Sequence, residues 1–248
     1  MGRVAPGSVL WALALCPIAA CAAEITVLSA AAVKGPLTEL AASFERETGH
    51  HVAFEFTTAG GVDARLAGGA RPDLVINSRD RIDARAGRSP SGGVARNVGT
   101  VRIGVAMRAG APRRDVSSES SLRAALLAVQ SIAYTDPARG GTAGLHFARV
   151  LERLGVTEAI AGKVVLATGG LDVMQRVQRG EVELGITQKS EILHVDASTF
   201  VGLLPEEFQL ATTYTAWVPD SSNPAALAFI EMLTRADGRA RFVAVGFD

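Results

Sequence analysis

The sequence predicts an α/β fold with a mostly parallel sheet, on three observations. From Glu24 onward, short apolar strands alternate with amphipathic helical stretches. Several strands run into small or hydroxyl residues just before a helix begins. The chain has 248 residues, 48% of them hydrophobic, enough for one large domain or two lobes of roughly 100 residues each.

The elements follow in order. Ile25-Thr26-Val27-Leu28 is the first strand. Leu37, Leu40, Ala41 and Phe44 recur at i, i+3, i+4 and i+7 on a helix ending near Gly49, with Pro36 tolerated in its first turn. Val52, Phe54 and Phe56 alternate as a second strand, and Leu74-Val75-Ile76 is a third. A linker rich in Gly, Ser and Arg spans Ala86 to Gly99. Beyond it come a strand from Val101 to Met107, a Ser-capped helix from Ser117 to Gln130 and a strand from Ser131 to Thr135. Phe147, Val150, Leu151 and Leu154 form another helical stripe stopping at Gly155. A unit from Val164 leads through Gly169-Gly170 to a helix ending at Gly180, and Val182, Leu184 and Ile186 alternate as a strand. Asn223-Pro224 opens a last helix whose Ala226, Phe229, Ile230 and Leu233 face inward.

The N-terminus reads as a secretory leader over residues 1–22. Arg3 precedes an apolar run from Val9 to Cys21, which is shorter than the roughly 20 residues of a spanning helix and is broken by Pro17. Ala20-Cys21-Ala22 is a small-x-small cleavage site, and Ile18-Ala19-Ala20-Cys21 resembles a lipobox, so a lipid anchor on Cys21 is the alternative to cleavage near Ala22 or Ala23. Both cysteines, Cys16 and Cys21, lie in this leader. The exported chain is therefore expected in the periplasm without a disulfide, held by its core alone, with no membrane span.

Charge and motifs exclude several functions. The 25 basic residues balance 25 acidic ones, so the basic excess that would neutralise a phosphate backbone is missing and nucleic acid is not an expected partner. The chain has no Gly-x-x-x-x-Gly-Lys-Ser/Thr loop, no Gly-x-Gly-x-x-Gly, no Gly-x-Ser-x-Gly and no His-Glu-x-x-His. His50, His51, His146 and His194 have no metal-ligand spacing. No metal or cofactor is expected.

What recurs is a strand ending in small or hydroxyl residues before a helix: Ser29-Ala30-Ala31-Ala32, Thr57-Thr58-Ala59-Gly60-Gly61, Gly141-Thr142-Ala143-Gly144 and Thr168-Gly169-Gly170. Such loops bring free backbone N–H groups and the positive end of a helix dipole to the carboxyl edge of a sheet. Four of them converging would make an anion site built largely from main chain.

The run Ile25 to Ala32, the segment Phe54 to Leu66, Arg71-Pro72-Asp73-Leu74-Val75-Ile76, Asp136-Pro137 with Ala143-Gly144, Gly180-Glu181 with Leu184-Gly185-Ile186, and the terminal Gly246-Phe247 resemble the periplasmic molybdate-binding proteins of ABC importers. The resemblance covers nearly the whole chain beyond the leader. It implies a two-lobed type II periplasmic binding fold, with lobe 1 at 24–104 plus 211–248, lobe 2 at 105–210, and a ligand cleft between them closed by hinge motion. It also implies an ABC permease as partner, a small anionic ligand and a monomer.

The family's ligand contacts are a serine after strand one, a serine after strand two, two backbone amides and a late tyrosine. The matching positions here read Ala32, Ala59, Ala143, Gly170 and Gln188. Main-chain donors survive such replacements, whereas both serine hydroxyls and the phenol are lost, at about 1–3 kcal/mol per missing donor. Lys34 near the first helix start, Thr58, Gly60, Thr142 and Gln188 remain to contact a ligand. His146, one turn beyond Thr142, shares its helix face. Lys, His, Thr and Gln together suit an organic carboxylate better than a bare metal oxyanion. The chain is also similar to the aconitate isomerases, which move a double bond in a tricarboxylate by proton abstraction and return. In that alternative His146 would be the base, and Lys34 with Thr58 the anion clamp.

Overall fold

The computed structural model describes Gly2, residues 22–87 and residues 93–248. The expected leader, with its cleavage site and lipobox, falls on residues that lie, apart from Gly2 and Ala22, outside the described ones. Among the described residues no helix is long and apolar enough to cross a membrane.

The chain opens with β1 (Glu24–Ala30), α1 (Lys34–Thr48), β2 (His51–Thr57), α2 (Ala59–Ala67), β3 (Leu74–Ser78) and α3 (Arg79–Ala86). β4 (Val94–Met107) leads to α4 (Glu119–Ala128), β5 (Ile132–Thr135), α5 (Thr142–Arg153), α6 (Thr157–Ile160), β6 (Val164–Ala167) and α7 (Gly170–Gln178). β7 (Leu184–Gln188), α8 (Lys189–Asp196), β8 (Phe200–Leu203), β9 (Ala211–Val218), α9 (Pro224–Thr234) and α10 (Ala236–Ala244) complete it. In space the strands run β2-β1-β3-β9-β4-β7-β5-β6, with β8 beside β4.

Each of the two lobes centres on three parallel strands, β2-β1-β3 in one and β6-β5-β7 in the other. β4 and β9 join them antiparallel. The first part of β4 pairs with β9, from Val94 opposite Val218 to Arg102 opposite Ala211, and its last part pairs with β7, from Ile103 opposite Gln188 to Met107 opposite Leu184. One strand therefore serves both lobes. At the handover Gln209 substitutes for a strand residue. Its Oε1 accepts from the Ile103 N–H at 2.8 Å and its Nε2 donates to the Ile103 carbonyl at 3.1 Å.

The helical stripes bury as their spacing dictates. Leu37, Leu40, Ala41 and Phe44 join Ile25, Phe229 and Phe242 in the core of the first lobe. Phe147, Val150 and Leu151 of α5 pack with Ile103, Leu122 and Leu184 in the second. Gly49, in the left-handed region at φ 75°, ends α1, a conformation that costs glycine least. Asn223 caps α9 by accepting from the Ala226 N–H at 3.0 Å, with Pro224 in the first helical position.

Two boundaries differ from the sequence expectation. The linker foreseen to Gly99 is already strand from Val94, because β9 supplies a ladder partner that Arg96, Asn97 and Gly99 do not advertise by propensity. The helix expected over Ser117 to Gln130 is confined to Glu119–Ala128. Ser118 caps it through the Ser121 N–H, and Val129 turns extended.

Candidate anion site between the lobes

In an α/β sheet the loops after the strands gather where the strands' carboxyl ends point. Here those of the two lobes face one another across a cavity of about 300 Å³. Ala31, Ala32 and Lys34 line it from the β1–α1 turn, and Phe56, Thr58 and Ala59 from the β2–α2 turn. The opposing lobe contributes Arg139, Gly141, Thr142 and Ala143 before and in α5, and Thr168 to Asp172 around the start of α7. Thr187, Gln188 and Glu191, at the β7–α8 junction, and Tyr214 of β9 complete the lining.

The starts of α5 and α7 and the first residue of α2, Ala59, border this space; a helix start leaves amides without an intrahelical acceptor, and its dipole favours an anion. Two cations add to them from opposite lobes. Lys34 Nζ lies 5.5 Å from the Phe56 ring centroid. Arg139 stands in the short turn Pro137–Arg139, which the Asp136 carboxylate fixes by accepting from the Ala138 N–H at 2.9 Å. Among the described residues neither cation is in an ion pair with a carboxylate.

The lobes touch at the mouth and beside the cavity. Thr58 donates its hydroxyl to the Arg139 carbonyl at 2.6 Å, and the Gly60 N–H donates to the Gly140 carbonyl at 3.1 Å. Ser190, at the start of α8, donates to the Ala32 carbonyl at 2.7 Å. Gly60 is small for a reason: a Cβ there would stand 2.7 Å from the Gly140 Cα.

Buried Glu191 and Tyr214 and half-buried Asp172 form the inner wall. Glu191 is 5% exposed. Burial pushes its carboxyl up to about 7, opposed by the Thr187 hydroxyl, which donates to Oε2, and by the Gln188 backbone N–H. Burial also pushes the Tyr214 phenol upward, and the nearby Glu191 charge adds to that. Asp172 goes the other way. Burial raises it, yet the backbone N–H and hydroxyl of Thr168 and the Arg176 guanidinium lower it overall. Gly170 must lack a side chain, because a Cβ there would overlap the Glu191 carboxyl and the Thr187 hydroxyl.

Of the residues singled out from sequence, Ala32, Lys34, Thr58, Ala59, Thr142, Ala143, Gly170 and Gln188 line this cavity. Two do not. Gly60 spends its amide on Gly140, at the contact between lobes. His146 does share a helix face with Thr142, but it lies a turn farther from the helix start, about 5.4 Å, and its Nε2 donates to the Phe208 carbonyl at 2.7 Å. A ring nitrogen that donates there cannot serve as a base at the cleft. Sequence reasoning missed Arg139, Glu191 and Tyr214. Glu191 alone carried a signal, an acid three residues after a strand end, which is the spacing of a helix-capping carboxylate.

Comparison with known proteins agrees with this architecture. The chain is 31% identical over 225 residues to an aconitate isomerase of Pseudomonas sp, covering 86% of this chain and 83% of that one. It is 30% identical over 175 residues to the molybdate-binding protein ModA of Azotobacter vinelandii, covering 70% and 68%. The solved Azotobacter vinelandii periplasmic molybdate-binding protein superposes with a TM-score of 0.73 at 20% identity, over 91% of this chain and 99% of that one. The family described as bacterial extracellular solute-binding protein matches residues 25–248. With nearly all of the described chain inside that match, the protein belongs to the bacterial extracellular solute-binding proteins and is related to the molybdate-binding ones.

Proposed function

We propose that the protein is the periplasmic receptor of an ABC importer and that its ligand is a small organic acid with more than one carboxylate. The observation that carries this reading is the convergence of Lys34 and Arg139, one from each lobe, on a single cavity already ringed by helix N-termini. Two separated cations suit two carboxylates.

Capture on this reading is electrostatic and hydrogen-bonded, with no covalent step. One lobe, taken as residues 24–104 plus 211–248, holds the ligand on the α1 and α2 turns. The other, residues 105–210, closes through β4 and the 209–211 segment, and the permease reads the closed shape. The reading is tested by thermal unfolding with a panel of anions, because a ligand bound only to the folded chain raises its stability with concentration. Di- and tricarboxylates are expected to raise the midpoint more than molybdate or sulfate. A large shift with micromolar molybdate and none with any carboxylate overturns it.

A second reading is favoured by Glu191 and by the isomerase relative. A buried carboxyl held up to about 7 inside the cavity is suited to proton transfer. As an aconitate isomerase, the protein would remove a proton from the methylene beside one carboxylate and return it at the other end of the allylic system. Glu191 would serve as the base in place of His146, while the helix amides and Lys34 hold the developing charge. Proton NMR of cis-aconitate incubated with the protein decides this: appearance of the trans isomer, lost in Glu191→Gln, supports the enzyme, and an unchanged spectrum excludes it.

A further inference from the structure

The cavity is not a donor surface throughout. Its rim offers amides, hydroxyls and two cations, whereas its floor at the β7–α8 junction, beside the Tyr214 phenol, presents acceptors. Gln188 is 2% exposed, and its Nε2 is turned to Thr212 Oγ1 at 3.4 Å. Its Oε1 is buried and has no hydrogen-bond partner. A carbonyl oxygen can only accept, and leaving one buried and unmet costs about 1–3 kcal/mol, so what relieves it is a donor.

Glu191 adds to the same pattern. Its carboxyl has no cation beside it among the described residues and receives the Thr187 hydroxyl and the Gln188 backbone N–H. In the ionised form, reached as pH rises through about 7, that fills two of the roughly four lone-pair positions of the carboxylate. Both side chains line the cavity. A fully deprotonated tetrahedral oxyanion brings acceptors only and would set oxygen against oxygen at Gln188 Oε1 and at the ionised Glu191 carboxylate. A carboxylic acid with a hydroxyl on its skeleton brings anionic oxygens for the rim and one O–H for the floor.

We propose that the ligand is a hydroxylated polycarboxylic acid, whose carboxylates lie at the helix N-termini with Lys34 and Arg139 and whose hydroxyl places its one proton between Gln188 Oε1 and the ionised Glu191 carboxylate. This rests on the organic-acid reading above and narrows it to one chemical class. Gln188 and Glu191 are then specificity determinants, and the bare rim sets only the preference for anions.

Matched acids test this by calorimetric titration of the full chain. Citrate is compared with propane-1,2,3-tricarboxylate and malate with succinate, each pair differing only in the hydroxyl. The wild type should prefer the hydroxylated member of at least one pair by about tenfold or more, since an unmet buried acceptor penalises the analogue that lacks the donor. Gln188→Met, which keeps the length but removes both polar atoms, should reduce that ratio to below about threefold. Glu191→Gln should reduce the ratio as well. Equal binding of both members of every pair by the wild type overturns the inference and leaves the organic-acid reading standing. A preference that survives both substitutions overturns the assignment to this floor. If no acid binds and molybdate does, the organic-acid reading fails with it. The wild-type comparison needs no variant, so a substitution that prevents folding does not remove the test.

Discussion

Thr58 donates its hydroxyl to the carbonyl of Arg139 at 2.6 Å, joining residues 81 positions apart from opposite sides of the cleft. The same oxygen accepts from the Gly61 N–H at 3.0 Å and so caps α2. Thr58→Val should therefore lose two things that separate experimentally. Urea unfolding without ligand should show a loss of about 1 kcal/mol from the cap. Ligand titration should show about fivefold weaker binding from the missing contact between lobes, worth about 1 kcal/mol. Thr58→Ser should restore both.

Closure also depends on Gly60. An added Cβ would meet the Gly140 Cα at 2.7 Å and the Arg139 carbonyl at 3.0 Å only when the lobes are together. Alanine in α2 is otherwise favourable to a helix by up to about 1 kcal/mol. Gly60→Ala should thus melt at or above the wild-type temperature, bind ligand at least about tenfold more weakly, and keep a larger radius of gyration by small-angle X-ray scattering at ligand concentrations that compact the wild type.

Glu191 gives a pH dependence with a defined sign. Its carboxyl is raised by burial from an ordinary 4.5 to about 7, so between those values the folded chain holds a proton that the unfolded chain has released. The contribution of this group to stability is complete below about 4.5 and is lost as pH rises through about 7. Asp172, shifted downward and facing the same cavity, contributes in the opposite sense at lower pH. Stability measured from pH 4.5 to 8 should fall for the wild type relative to Glu191→Gln, and the difference between the two curves isolates this carboxyl.

The two cations act on binding and not on folding. Arg139 is exposed and Lys34 only half-buried, and neither belongs to a hydrophobic cluster. Lys34→Gln and Arg139→Gln should each leave unfolding within about 0.5 kcal/mol of wild type. Each should weaken carboxylate binding about tenfold to a hundredfold, the ~1.5–3 kcal/mol of a hydrogen bond to a charged group. Titrations at low and high salt check the assignment, because removing either charge should flatten the salt dependence.

Periodicity made the fold legible, and residue size did the same for part of the site. The stripe Leu37, Leu40, Ala41 and Phe44 is buried to within 4% exposure, as a 3.6-residue repeat against a core requires. Small residues marked the loops at Ala32, Ala59, Ala143 and Gly170 because close approach of backbone to a ligand or a neighbour leaves no room for larger ones. Tyr214 could not be read this way. It stands on β9, a strand buried on both faces along most of its length, so no alternation distinguishes its cavity side. Arg139 lies in a three-residue turn without a period, and its place at the rim comes from contacts with Thr58 that are remote in sequence. His146 shows the converse: helical spacing gives the face of a side chain but not its depth along the axis.

The central claim, that one cavity between the lobes takes a multiply charged carboxylate in preference to a metal oxyanion, is tested most directly by competition. Molybdate is titrated calorimetrically into protein alone and into protein saturated with citrate. Citrate should give a signal in the micromolar range or tighter, abolished or strongly weakened in a Lys34→Gln, Arg139→Gln double variant, and molybdate should give no heat in either titration at comparable concentrations. Tight molybdate binding that citrate does not displace, in a protein on which citrate itself produces no heat, would contradict it.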